Sequence, residues 1–359
     1  MAAKKDTKLK SSLIQLMVPL IAITALLLFN LIRDPGFFHI RMASNSQGNP
    51  VLQGNLITIL NGASELAILA MGMTLVTAAS GGQDISVGAL SVVAGSVFIK
   101  VLKSTDNITA GTVLLGFLAC CMVAMLFGAF NGTLVSVFKI QPMIATLILF
   151  TCGRSIAYWI NGGASPTVSS PIVSSIGGII PGIPIPTPIL IVIIVGLLFA
   201  LAFRFTNLSL YTQAVGINQG AARLNGINSV GIKMAAFVIL GICCAFAGMI
   251  GASRLSMVNH ETLLVDIEMD AILAVAIGGN SLGGGKFRMI GSIIGAYAIQ
   301  TLTITLYAMK VPSTDIKAYK AIVIILLVVI GSPVVKAFVS RIWNTRIKGR
   351  NLSIRKEAA

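Results

Sequence analysis

The stretch that decides the fold is AGTVLLGFLACCMVAMLFGAFNGTLVSV, residues 110–137, twenty-eight positions without one charged side chain. A helix rises about 1.5 Å per residue, so a run of this length exceeds the roughly 30 Å hydrocarbon core of a bilayer. Working outward, nine further apolar runs of comparable character follow or precede it: 12–32, 56–79, 87–102, 142–161, 187–205, 230–252, 267–280, 289–309 and 319–338. The composition agrees: 56% of the 359 residues are hydrophobic, 10% are charged, and the mean hydropathy is +0.93. A soluble domain carries about 25% charged residues to keep its surface hydrated. Lipid is therefore the expected solvent, and the fold class is an all-α polytopic membrane protein of about ten transmembrane helices. The runs at 87–102 and 267–280 are short and flanked by glycine, the pattern of broken or re-entrant helices around a solute path.

The net charge of +15 does not point to nucleic acid. The basic residues gather in the tails and short loops, with no basic stripe interleaved with aromatics, which is how cytoplasmic loops of membrane proteins are charged. Lys4, Lys5, Lys8 and Lys10 precede the first run. Lys336, Arg341, Arg346, Lys348, Arg350, Arg355 and Lys356 follow the last. Both termini are therefore expected in the cytoplasm, with an even number of spans. On that layout Lys139, Arg204, Arg223, Lys233, Lys286 and Arg288 are also inside, whereas Lys310, Lys317 and Lys320 fall outside, against the rule. The chain then divides into a cytoplasmic tail at 1–11, a transmembrane body at 12–338 and a basic cytoplasmic tail at 339–359. The run from Leu13 to Ile32 is too long for a signal-peptide core and lacks a small-residue cleavage site, so it reads as the first span.

Several chemistries are disfavoured by what accompanies each residue type. The five cysteines (Cys120, Cys121, Cys152, Cys243, Cys244) all lie in apolar runs without metal-ligand spacing to a histidine, so neither a disulfide framework nor a metal site is expected. His39 and His260 are the two histidines, both in outer loops, and no serine–histidine or paired-aspartate arrangement suggests catalysis. Ser80-Gly81-Gly82-Gln83 imitates the signature of an ATPase, but no phosphate-binding loop accompanies it. GGNSLGGGKF (278–287) has Asn280 where the first glycine of such a loop belongs and Phe287 where the metal-binding hydroxyl belongs. The chain is expected to bind no cofactor and to hydrolyse no ATP.

Two loops and two glycine pairs carry more information. Residues 162–186 hold no charge and are rich in Gly, Pro and Ser, so they cannot be helical throughout; they read either as an ordered outer loop on which a partner docks or as a connector. Gly128 with Gly132, and Gly291 with Gly295, are spaced for close helix approach in lipid. The loop at 206–229 contains a short helical stretch, Gln219 to Asn225, between Gly216 and Gly226. Ala221 and Ala222 there would let another protein approach, and Arg223 would supply a charge. It reads as a docking helix, or else as a helix lying on the membrane.

Asp84 lies between apolar runs with Ser86. It reads either as a residue of the solute path, accepting hydrogen bonds from solute hydroxyls, or as a cap satisfying free N–H groups of the next helix. Gly81, Gly82, Gln83 and Asn280 fall in the same candidate path. Arg154, read as the one basic residue buried in a span, needs a carboxylate or backbone carbonyls as partners, or else contacts the solute. Glu65 is a further intramembrane acid.

At these motifs the chain resembles a known family. AVGINQGAARLNGI (214–227) resembles the coupling-helix motif of ABC importer permeases of the sugar-type branch, which includes ribose, galactose, xylose and autoinducer-2 permeases. GGQDISVGAL (81–90) resembles that branch's GG-x-D-L-S-V-G signature. QPMIATLILFTCGR (141–154) and MDAILAVAIGGNSLGGGKFRMIGSIIGA (269–296) fit its pattern too. The likeness runs from about residue 52 to 335 and leans towards galactofuranose-type and ribose-type members. Gln83 stands where the signature is usually apolar, and Ile85 where it has Leu.

The resemblance implies a permease subunit that moves a monosaccharide or similar small polyol across the bacterial inner membrane. Its partners would be a cytoplasmic ABC ATPase holding ATP and Mg²⁺, an extracytoplasmic solute-binding protein, and a second permease copy or a paralogue; nucleic acid is not among them. Gly216, Ala221, Ala222, Arg223 and Gly226 would meet the ATPase. The alternatives are a nucleoside permease of the same class and a secondary transporter driven by an ion gradient, for which Asp84, Arg154 and Glu65 are the coupling candidates.

Overall fold

The computed structural model describes residues 19–44 and 50–331. The two tails, and the outer ends of the first and last apolar runs (12–18 and 332–338), lie outside the described residues. The chain divides into two compact units, 1–305 and 306–359.

In the first unit the helices are α1 (Pro19–Arg33), α2 (Asn55–Gly62), α3 (Ser64–Ser80), α4 (Val87–Lys103), α5 (Ala110–Ser136), α6 (Pro142–Ile160) and α7 (Pro171–Gly177). They continue with α8 (Thr187–Phe205), α9 (Leu208–Ile217), α10 (Gln219–Leu224), α11 (Ser229–Leu255) and α12 (Ile267–Ile277). Helix α13 (Met289–Ala308) crosses the boundary, and α14 (Ile316–Gly331) belongs to the second unit. The protein is thus a polytopic, all-helical membrane protein. Among the described residues, α5, α6, α8, α11 and α13 are each long and apolar enough to cross a bilayer. The run expected at 56–79 is two helices, α2 and α3, bent by 41° at Ala63, and together they pass the same test. The two runs expected to be short are so: α4 has 17 residues and α12 has 11.

What positions everything else is α3. Every residue from Ser64 to Ala79 is buried, although the helix has no single apolar face. Helices α8, α9, α11 and α12 pack round it. A helix apolar on all sides belongs in the middle of a bundle, and small residues let its neighbours close in. A Cβ on Gly72 would stand 2.9 Å from the Cys243 sulfur. Small residues do the same elsewhere: a Cβ on Gly248 of α11 would run into the Ser91 carbonyl of α4. Gly128 and Gly132 face Phe237 and Met234 of α11, and Gly291 and Gly295 face Gly278 and Ala274. Both glycine pairs read from the sequence therefore mark helix crossings.

The outer helices show the opposite pattern. On α8, Ile193, Ile194, Leu197, Leu198 and Leu201 form one exposed apolar stripe. On α5, Leu114, Leu118, Met122 and Leu126 form another at four-residue spacing. Such stripes are stable only where the surroundings are themselves apolar.

Several short elements went unseen in the sequence. Arg41–Ser44 and Pro50–Gln53 pair as a small antiparallel hairpin, β1 and β2. The 162–186 loop is ordered: it contains α7, and Val168 N–H donates to Ser256 O (2.9 Å), Val258 N–H to Pro166 O (3.2 Å) and Leu52 N–H to Pro184 O (3.2 Å). These bonds satisfy backbone that its prolines keep out of a long helix. In the second unit α14 begins beside Asp315, whose carboxylate accepts from Thr314 Oγ1 at 3.0 Å.

Candidate functional site

The polar residues singled out in the sequence fall into two places. The first is the turn between α3 and α4. Gly81 ends α3 in the left-handed conformation (φ 67°), the ordinary glycine stop of a helix. The chain then folds back: Asp84 N–H lies 3.5 Å from the sulfur of Met73, which sits seven residues before the end of α3 and so about 10 Å up the helix. Asp84 is buried. Its Oδ1 accepts from Ser86 N–H (2.8 Å) and Ser86 Oγ (2.6 Å), and its Oδ2 from Asn131 Nδ2 (3.3 Å). Asn131 Nδ2 also reaches Ser86 Oγ at 3.0 Å, and Ile85 N–H donates to Thr146 Oγ1 at 3.2 Å. The carboxylate thus closes the turn that leads into α4. It is a side-chain turn two residues ahead of the helix's N-cap, Ser86, and it satisfies the N–H of that residue rather than one inside α4. Asn131 and Thr146, from α5 and α6, complete this cluster; the sequence reading had not picked them out.

The second place is the glycine loop between α12 and α13. Asn280 holds it closed. Its Oδ1 accepts from Arg288 N–H (2.6 Å), and its Nδ2 reaches Ser292 Oγ (2.9 Å), Arg288 O (3.2 Å) and Val275 O (3.3 Å). Thr74 Oγ1 of α3 donates to the same Ser292 hydroxyl at 2.7 Å. With its amide fully engaged, Asn280 fixes the loop's shape.

These two places touch. Gln83 Nε2 donates to Leu282 O at 2.9 Å, Gly285 N–H donates to Ala78 O at 3.0 Å, and a Cβ on Gly81 would stand 2.9 Å from Gly283 O. The 206–229 loop joins them. It holds two helices where one was expected, and Gly216 lies inside α9 rather than flanking it. A Cβ on Gly216 would collide with Ala78 O and stand 2.7 Å from Gly285 N.

Helix α10 begins at Asn218, whose Oδ1 accepts from Ala221 N–H at 3.0 Å. Two expectations are corrected here. Ala222 is buried and faces inward, so of the two alanines only Ala221 is presented outward. The Arg223 Nε donates to Ser229 Oγ at 2.8 Å, tying α10 to the start of α11 although the residue is exposed. What α9 and α10 present most openly is apolar: Leu224 is 91% and Ile217 74% exposed. Gly226 (φ 78°) has open space round it.

Arg154 and Glu65 also find their partners. The Arg154 guanidinium donates to the carbonyls of His260 (2.7 Å), Leu263 (3.2 Å) and Leu264 (3.4 Å). These belong to the irregular stretch before α12, where Leu264 and Asp266 have positive φ. Irregular backbone inside a membrane bundle needs such donors. A second arginine lies just beyond the run read at 230–252 and is partly exposed. Arg254, at the end of α11, grips Glu65 through Nε (3.1 Å) and Nη2 (3.0 and 3.1 Å), and its Nη2 reaches Asn61 O at 3.0 Å.

Comparison with known proteins fits this geometry. Residues 55–331 match the family described as branched-chain amino acid transport system / permease component. A galactofuranose transporter permease of Escherichia coli (strain K12) is 36% identical over 335 residues, 93% of this chain and 94% of the relative. A fructose import permease of Bifidobacterium longum (strain NCC 2705) is 35% identical, covering 88% of this chain and 86% of the relative. A ribose import permease of E. coli (strain K12) is 35% identical, covering 90% and 93%. No solved structure matches. The chain belongs to this family of transport permease components.

Proposed function

We propose that the protein is the membrane-spanning permease subunit of an ABC importer that carries a monosaccharide or similar small polyol across the bacterial inner membrane, with both termini in the cytoplasm. ATP and Mg²⁺ bind a separate cytoplasmic ATPase, and this chain binds neither. A solute-binding protein delivers the sugar at the opposite face, and two permease copies make the assembly. The sugar is inferred from the relatives, whose names give galactofuranose, fructose and ribose.

The observation that carries this reading is the α9–α10 unit. It presents exposed Ile217 and Leu224 outward, while its inner side meets the base of the buried helix α3 through Gly216. A surface that is apolar on one side and seated against a central helix on the other suits a partner that must move the bundle. ATP can bias inward-open and outward-open states only through a differential interaction with them, and this contact is a route for it. Glu65 supports the same reading over a gradient-driven carrier, because a carboxylate held on two sides by Arg254 is poorly placed to exchange an ion.

The test is a mild-detergent pull-down of the tagged chain from its native cells, with partners identified by mass spectrometry. Co-recovery of an ABC ATPase is expected. Recovery of the chain alone, from cells in which uptake is intact, contradicts the proposal.

A further inference from the structure

Gln83 stands where the resembling family signature is usually apolar, and the structure gives its amide a definite task. The side chain is buried, and its hydrogen bond to Leu282 O spans 199 residues of sequence. That bond is one of three ties between α3 and the glycine loop 279–288. The second is Gly285 N–H to Ala78 O, and the third runs from Asn280 through Ser292 Oγ to Thr74 Oγ1. The three ties are spread from Thr74 to Gln83, over the last turns of α3 and into the turn that starts α4. Loop and helix base are therefore held as one body. Gly216 of α9 rests on this body at the middle tie, against both Ala78 O and Gly285 N.

From this arrangement we infer that the glycine loop is the transmission piece between the α9–α10 unit and the bundle, and that Gln83 is a positioning residue for coupling. A push on α9 meets backbone at Ala78 and Gly285, where neither side has a flexible side chain to absorb it. The Gln83 amide then carries the displacement past the end of α3 to the Asp84–Ser86 turn, and so to α4. Without that amide, α3 and the loop still move together, but the α4 turn is released from them. This rests on the proposed role of α9–α10 as the ATPase-facing unit.

The experiment uses the full complex, reconstituted with its ATPase and binding protein, and measures solute transported per ATP hydrolysed. Gln83→Met keeps the length and volume of the side chain and removes the donor. The expected result is unchanged assembly and near-normal ATP hydrolysis, with transport per ATP lowered roughly tenfold, within the usual range for coupling between two sites. Gln83→His, which keeps an N–H donor, is expected to recover part of the ratio. An unchanged ratio in Gln83→Met overturns the inference, as does a loss of assembly in both Gln83→Met and Gln83→Ala, which makes Gln83 a folding residue. If the wild-type complex itself shows no ATP-dependent transport, the failure lies in the ABC reading, and the inference falls with it.

Discussion

Single residues in this bundle matter through what they prevent from being left unpaired or too far apart. Glu65 is a carboxylate in an apolar interior, and Arg254 is the cation that makes its burial tolerable. Arg254 is 30% exposed, so leaving Glu65 unpaired costs less than the about 3–5 kcal/mol of a fully buried pair, whereas replacing both with apolar side chains is far less damaging. Arg254→Met is accordingly expected to lower the thermal unfolding midpoint in detergent markedly, and Glu65→Leu/Arg254→Met to recover most of it; equal losses in both would contradict the pairing. Gly248 is the steric counterpart. Gly248→Val forces a side chain into the Ser91 carbonyl and is expected to cost about 1–3 kcal/mol, while Gly196→Ala, with nothing within 4 Å, leaves stability unchanged or slightly raised. Neither feature was legible beforehand. Glu65 and Arg254 are 189 residues apart, and no local pattern announces which glycine will face a carbonyl. The need for partners at Arg154 was legible, because an isolated cation in lipid must be satisfied; the three carbonyls that serve it were not.

At the scale of elements, the sequence was most informative where solvent dictates the pattern. Uncharged runs such as 110–137 read as helices because lipid leaves the backbone no other partner, and α5 is found there. Where structure rests on tertiary contact the reading fell short. The β1–β2 hairpin is too short to show a period. Helix α9 was missed because LSLYTQAVGI mixes polar and apolar positions without a clear face. Gly216 was placed at the edge of the docking helix, when it sits inside α9 against α3. The docking surface itself follows from exposure. Leu224→Glu puts a charge on the most exposed apolar side chain of α10 while touching nothing inside the bundle. It is expected to abolish co-purification of the ATPase without shifting the unfolding midpoint; retained co-purification would show that α10 is not the contact. Gly216→Leu differs in kind, because it also disturbs the α3 base. Its expected signature is a retained ATPase subunit with ATP hydrolysis uncoupled from uptake.

For the whole molecule, a buried α3, short helices α4 and α12, and an α9–α10 unit braced on a glycine loop are the parts that the proposed function sets in motion, one end being moved to change the other. The family assignment was readable from four motifs spread over the chain. The solute was not: the polar residues singled out in the sequence, Asp84 and Asn280, hydrogen-bond to neighbouring groups of the chain, and their residue types specify no one sugar. The central claim is that ATP, used by a partner, drives a sugar through this bundle. The most direct measurement is uptake of labelled monosaccharides into vesicles holding the full complex, with ATP supplied or withheld and with a protonophore present or absent. The account predicts uptake that requires ATP and survives the protonophore. Uptake that continues without ATP and collapses when the proton gradient is dissipated would contradict it.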